Sequence, residues 1–377
     1  MDPEASLLLL VLRQFCESET NKDFASEGLA MVNEDKFIRL CNRHKVLPLI
    51  ASKFVELELT ESKTVREGQN QILINAMANL CNMKENKTII ENLEGNGISY
   101  VVLKGSYMTL SAYGNVGYRL SQDTDILIDR TDVEKVTDLI QQLGYLRGRF
   151  IREEAKVKMY SRQEEIFYSM NTHQAAPFIK TLNHPLIPYH CVDLNLHLTW
   201  GEDTQRGDIS IADFIGSRRK VSVQGINYFV LPYEEFFIQI CLHHFKDVNS
   251  IYLLTKTPSL IVSKYCDIYF FLTKNIGAIS LPRLYELMGK FQVEMYVHYM
   301  LYYTSLIFPS SLITQMLEVL KPKDTGMLKL MGLSSGEKKE WKVDFFERLF
   351  ASERMGLIKD YLNEQDLMKI NYNKEFL

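Results

Sequence analysis

Two short stretches hold the residues whose types and spacing suit chemistry: Leu103-Lys104-Gly105-Ser106, and Arg119 followed by Asp123-Thr124-Asp125-Ile126-Leu127-Ile128. A glycine at the end of a strand, with a small hydroxyl residue opening a helix, leaves backbone N–H groups and the positive end of a helix dipole facing outward. Phosphate can bind there. If Asp123 and Asp125 stand at the mouth of the next strand, the two-residue period places both carboxylates on one face, about 6.7 Å apart along the backbone. Their oxygens can then converge on magnesium. Two such ions about 3.5–4 Å apart bridge the phosphates of a nucleotide and stabilise attacking and leaving oxygens.

The elements that must position these residues follow from periodicity. Residues 1 to 97 read as helix after helix: Ser6–Cys16, Glu34–Arg43, Leu47–Glu56 and a long amphipathic stretch from Ser62 to Leu93, stopped by Gly95-Asn96-Gly97. The period then becomes that of strands in Ile98–Leu103, Asp125–Ile128 and Val192–Leu198. A helix over Asp132–Leu143, capped by Thr131 and closed by Gly144, lies between the second and third. Gln224-Gly225 joins Lys220–Val223 to Ile226–Leu231 as a hairpin. Helical spacing returns in Glu234–Phe245, Lys264–Leu272, Leu281–Phe291, Glu294–Ile307 and Ser311–Leu320, with Trp341, Phe345 and Phe346 as packing positions further on. The expected division is a helical region 1–97, an α/β core 98–231 and a helical domain 232–377.

Composition narrows the classes of function. The chain has 377 residues, 46% apolar and 24% charged, within the range of ordinary globular proteins. Its 43 Lys and Arg against 47 Asp and Glu give a net charge of −4, which argues against a duplex nucleic acid partner, since phosphate neutralisation supplies most of such affinity. Six scattered cysteines form no CxxC pair and suit reduced thiols in a cytoplasmic protein. No membrane-spanning run is expected, and Asp2 and Glu4 precede the short apolar run Leu7–Leu12 where a signal peptide would be basic. His197, His243 and His244 read as structural histidines, the last two lacking a partner at zinc-ligand spacing.

The ordered motifs resemble the nucleotidyltransferase superfamily of DNA polymerase beta. More narrowly, they resemble the bacterial group usually called uncharacterised nucleotidyltransferases. The resemblance rests on Leu103, Lys104, Gly105, Tyr113, Arg119, Asp123, Asp125, Leu127, Gly144 and Tyr145, with later echoes in Asp193-Leu194-Asn195-Leu196-His197 and Ile240-Cys241-Leu242-His243. A helical lead-in at Leu40–Val46 extends it, so it covers about residues 35 to 270. It implies an α+β fold: a minimal polymerase beta-like core flanked by helical regions that enclose an acceptor.

It further implies transfer of a nucleoside monophosphate from a triphosphate, ATP being the expected one, to a hydroxyl or phosphate with release of pyrophosphate. Mg2+ or Mn2+ would sit on Asp123, Asp125 and a third residue of the 192–198 strand, with the phosphates on Lys104, Gly105, Ser106 and Arg119. The acceptor is left open among a ribosomal peptide, a protein side chain, a tRNA end and a small molecule. This chain departs from the family at Gln122, where Gly is usual, and at Asn195, where an acid is expected. Alignment by His197 points to position 195 as third ligand, whereas an amide is a poorer partner for a hard divalent ion, which favours Asp193. Kinase-like phosphoryl transfer on the same cradle and an inactive binding relative are the alternatives.

Overall fold

The structure is a computed structural model that describes residues 1–16, 22–200, 209–255 and 259–376. The fold is mixed α+β. The chain opens with α1 (Pro3–Arg13), α2 (Lys22–Ala30), α3 (Glu34–Arg43), α4 (Leu47–Glu56) and the long α5 (Lys63–Gly95). Asn33 starts α3 by accepting the Lys36 N–H on its side chain, and a proline in the first turn opens α4. The α/β stretch then runs β1 (Tyr100–Val102), α6 (Gly105–Tyr113), β2 (Thr124–Ile128), α7 (Val133–Gln142), β3 (Leu146–Ile151), β4 (Lys156–Met159), α8 (Arg162–Asn171), β5 (Phe178–Thr181) and β6 (Tyr189–Asn195).

After α9 (Ile211–Gly216) and the expected hairpin of β7 (Arg219–Val223) and β8 (Ile226–Val230), the chain becomes helical again. It continues through α10 (Tyr233–Asn249), α11 (Ile251–Thr255), α12 (Val262–Asn275), α13 (Leu281–Phe291), α14 (Glu294–Ile307) and α15 (Ser311–Val319). A short pair, β9 (Leu330–Met331) and β10 (Lys339–Glu340), precedes α16 (Phe345–Phe350), α17 (Arg354–Ile358) and α18 (Glu364–Phe376).

Two compact units result. The first comprises 1–73, 241–273 and 292–377; the second comprises 74–240 and 274–291. In the first, α1 buries Leu7, Leu8, Val11 and Leu12 against α3, α4 and α14, which is why its apolar run is so dense. The second is built on one eight-stranded sheet in the order β4-β3-β5-β6-β2-β1-β8-β7. β2 lies inside it, antiparallel to β1 and parallel to β6. All five β2 residues are buried, as a strand covered on both faces requires. Among the described residues no helix is long and apolar enough to cross a membrane.

Three local expectations need correction. Thr131 does not cap α7: Asp129 accepts its N–H and hydroxyl and caps a preceding 3-10 turn at Arg130–Asp132. The third strand lies upstream of its expected span, because Leu196 and His197 both donate their N–H to the His173 carbonyl and leave the ladder. His197 is therefore past the strand's end. Between α7 and β6 the sheet also gains β3, β4 and β5 with α8 beside them, none of which the apolar pattern indicated.

Candidate functional site

The buried strand β1 ends where the Leu103 N–H donates to the Asp125 carbonyl at 3.1 Å. Lys104 follows, then Gly105 at φ +63°. That left-handed conformation costs a residue bearing a Cβ about 1–2 kcal/mol. A Cβ at Gly105 would also stand 3.3 Å from Ser121 Oγ and 3.7 Å from the Asp123 carbonyl oxygen. The glycine is thus required by the turn itself and by the chain that feeds β2. Ser106 continues into α6; its side chain lies outside the described residues.

Asp123 stands just before β2, and Asp125 lies within it, paired in register with Asp193 on the adjacent parallel strand β6. Cys191, Asp193 and Asn195 share one face of β6 through the two-residue alternation. Asp125 is the most enclosed of the acids, 6% exposed. Its Oδ2 lies 3.1 Å from Lys104 Nζ, and its Oδ1 accepts Asn195 Nδ2 at 3.2 Å. Burial, and next the negative charge of Asp125, raise the Asp123 carboxyl above its ordinary value, while Lys104 and Arg119 act in the opposite sense. The Cys191 thiol, 3.9 Å from Asp193 Oδ1, is pushed well up by burial and then by the fields of Asp193, Asp123 and Asp125. The three acids therefore occupy one electrostatic neighbourhood, with Lys104 and Arg119 as its cations.

A polar stripe that the apolar pattern of α5 concealed holds this neighbourhood in place. Asn75, Asn79, Asn82 and Asn86 follow one another at helical spacing and are all buried. Asn75 donates to the Gly117 carbonyl at 3.0 Å. Asn79 donates to the carbonyls of Val116 and Arg119 at 2.6 and 2.8 Å and accepts the Ser121 N–H at 2.9 Å. Asn82 donates to the Ser121 carbonyl at 2.7 Å, and Asn86 accepts from Thr124 Oγ1 at 2.5 Å. The segment from 116 to 124, which has no regular structure of its own before β2, obtains partners for four carbonyls and the Ser121 N–H from one helix face. The detectable signal was the 4-3-4 spacing of four asparagines.

On the opposite face of β2, Thr124 also meets His190 Nε2 at 3.1 Å, and His190 Nδ1 meets the Tyr145 hydroxyl at 2.8 Å. Burial lowers His190 to about 4, so this histidine is neutral at pH 7. Tyr145 in turn reaches Glu85, which pairs with Lys180 at 2.8 Å. The acids thus rest on a polar chain that links the centre of the sheet to α5 and β5.

In the other unit, His243 and His244 of α10 do have an acidic neighbour: the ligand atoms of His243, His244 and Asp247 lie within 4.8 Å of one another. The expectation that the pair lacks a third ligand is corrected by this helical turn. Burial alone would raise Asp247, but Lys264, His243 and Lys246 outweigh it and hold the carboxyl well below its ordinary value. Lys264 Nζ is in direct contact with Asp247 Oδ2, so the cluster carries its own compensating cation.

The site is thus an α+β sheet with a glycine turn at the end of β1 and acids on or beside the neighbouring strands β2 and β6. A family model matches residues 30–309, and the chain belongs to that family, the uncharacterised nucleotidyltransferases. Among solved structures it is similar to an antigenic nucleotidyltransferase-like protein from Paracoccidioides brasiliensis, at 12% identity and a TM-score of 0.31 over 67% of this chain and 94% of that one. No curated protein matches it.

Proposed function

We propose that the chain is a Mg2+-dependent nucleotidyltransferase of the polymerase beta-like type, which moves a nucleoside monophosphate from a triphosphate, ATP in the first instance, to an acceptor hydroxyl or phosphate. The observation that carries this reading is the in-register pairing of Asp125 with Asp193, with Asp123 beside them at the mouth of β2. The donor set fits a hard divalent ion: it is all carboxylate oxygen, and Asp123, raised first by burial and then by the charge of Asp125, carries an enclosed negative charge that a cation relieves. Asp123, Asp125 and Asp193 would hold the metal, Mg2+ or Mn2+. When bound, the metal supplies charge neutralisation at the phosphates and acidifies an attacking hydroxyl.

The chain's own residues do the rest. The Lys104–Gly105–Ser106 turn at the start of α6 would offer backbone N–H groups to the phosphates, and Arg119, whose charge acts on Asp123, would add a cation to them. Asp193 is the less enclosed of the paired acids and would accept the proton of an acceptor hydroxyl. Lys104, now on Asp125, can release it to phosphate oxygens. Positioning and electrostatic stabilisation supply the rate. A peptide, a protein side chain and a small molecule all suit as acceptor.

A second reading has one observation in its favour. Both oxygens of Asp125 are already engaged, by Lys104 and by the Asn195 amide, which would suit a nucleotide-binding protein with an ammonium in place of a metal. Incubation with Mg2+ and ATP labelled separately at the α and γ phosphates, with candidate acceptors read by mass, separates the outcomes. Retained α label identifies nucleotidyl transfer. Retained γ label alone identifies kinase-like phosphoryl transfer and overturns the proposal. Nucleotide binding by calorimetry without either product favours the binding relative.

A further inference from the structure

The first unit contains a cleft of about 320 Å³ lined by α14, α16 and the segments just before β9 and just after β10, far in character from the carboxylate site. Its volume falls at the lower end of pockets that hold small organic ligands. Tyr303, Trp341 and Phe345 give it aromatic walls, and Arg348 lies on it. Arg348 is 3% exposed, and its guanidinium carbon stands 4.8 Å from the ring centres of Tyr303 and Trp341 and 5.6 Å from that of Phe345. Among the described residues no ion pair joins it to an Asp or Glu; its hydrogen-bond partner is the uncharged phenol oxygen of Tyr303.

Burying a guanidinium without an anion is costly, and ring faces offset only part of the cost. One donor in the same cleft is unused: Trp341 Nε1 is buried with no hydrogen-bond partner. A guanidinium with no anion and an unpartnered indole N–H therefore both belong to the lining of a space large enough for an organic molecule. Charge sets the rest. Asp344 is exposed, and its Oδ1 is committed to the N–H groups of Phe346 and Glu347 at the start of α16. Lys329 is exposed at the rim. The enclosed charge is one positive group, which matches a monoanion better than a phosphate ester.

We propose that this cleft binds a small planar carboxylate, its charged end on Arg348 and Trp341 Nε1 and its ring among Tyr303, Trp341 and Phe345. The geometry matches the recognition rule directly: a guanidinium accepts a carboxylate through paired N–H donors, and aromatic walls accept a flat apolar body. The site is independent of the nucleotidyl transfer proposed above. Its test therefore stands whatever the outcome of that one.

The probes are benzoate and phenylacetate, each compared with its uncharged amide, in calorimetry on the full-length protein. The chain has two tryptophans, so a Trp200→Phe variant makes Trp341 the sole reporter in fluorescence. Expected are saturable one-to-one binding of at least one acid, a change in Trp341 emission on binding, and amides at least tenfold weaker. Arg348→Met should weaken the acid at least tenfold and leave the amide unchanged. Trp341→Phe, which keeps a ring and removes the N–H, gives a smaller loss and covers the case in which Arg348→Met does not fold. Equal affinity for acid and amide, no saturable binding of either acid, or inorganic phosphate binding more tightly than both would overturn the assignment.

Discussion

Replacing Asn79 by alanine should loosen the segment that delivers Asp123 and Asp125 to the sheet. Three hydrogen bonds are lost: two donated to the Val116 and Arg119 carbonyls at 2.6 and 2.8 Å, and one accepted from the Ser121 N–H at 2.9 Å. At a net value of about 1 kcal/mol each the loss is about 3 kcal/mol. Asn82→Ala removes one bond, to the Ser121 carbonyl at 2.7 Å, and also removes an amide oxygen that is buried without a partner. Its cost should be about 1 kcal/mol or less. Amide hydrogen exchange reads this locally, because Ser121 N–H is the atom protected. A loss of about 3 kcal/mol corresponds to roughly a hundredfold fall in its protection. Exchange at Ser121 within threefold of wild type in Asn79→Ala, or an Asn82→Ala variant as damaged as Asn79→Ala, would refute the reasoning.

Asp123→Asn should stabilise the protein at pH 7 in the absence of divalent ions while abolishing turnover. The folded carboxyl titrates above its ordinary 3.8, so the native state loses stability as pH rises from about 3.8 through that higher value. Thermal melts should show a gain at pH 7 that shrinks toward pH 4; a variant less stable at pH 7 contradicts this. Asp193→Ala should cost more activity than the roughly 10–100-fold typical of a supporting contact, and Asn195→Ala no more than that; the reverse order in turnover assays would move the third ligand to position 195. Gly105→Ala should cost about 1–2 kcal/mol from its positive φ, read by denaturation, and an unchanged midpoint would show that the turn relaxes. Lys104→Met leaves buried Asp125 without its cation and should cost about 3–5 kcal/mol, a deficit that added Mg2+ reduces; no metal dependence of the melt in this variant would count against ligation at Asp125.

Much of the scaffold could be read from residue pattern alone, for identifiable reasons. The spans Glu34–Arg43, Leu47–Glu56, Leu281–Phe291 and Glu294–Ile307 appear with the bounds that periodicity set, because each has an amphipathic or wholly apolar run with a clear beginning. The acid-bearing strand was legible because its whole length is apolar after Asp125, as a central strand demands. The stretch from 146 to 181 was not. β3 and β4 carry Arg147, Arg149, Lys156 and Lys158 on half-exposed backbone, so neither face shows an apolar repeat. α8 did carry one local signal that apolar periodicity overlooks, the Ser161–Glu164 capping box. The grouping of Asp123, Asp125 and Asp193 in one neighbourhood depends on β2 and β6 being parallel neighbours in a given register, a long-range pairing no local pattern encodes. The engagement of Lys104 by Asp125, in place of open solvent, is of the same kind.

The asparagine face of α5 also makes that helix a phase-locked element. Each residue inserted into an α-helix turns everything beyond it by about 100° and advances it by about 1.5 Å. A single insertion between Asn79 and Asn82 would swing Asn75 and Asn79 away from the side on which Asn82 and Asn86 work, dividing one clamp into two that cannot engage together. An insertion of seven residues would restore the angle to within about 20°, but it would separate the two halves by roughly 10 Å, far beyond the reach of an amide. Neither kind of length change is tolerable within 75–86. Substitutions on the opposite, exposed side of the same turns, such as Leu73, Met77 and Leu80, are free of that constraint. The length of this helix segment should therefore be invariant wherever its outer surface is not, and α5 acts as a ruler for the site.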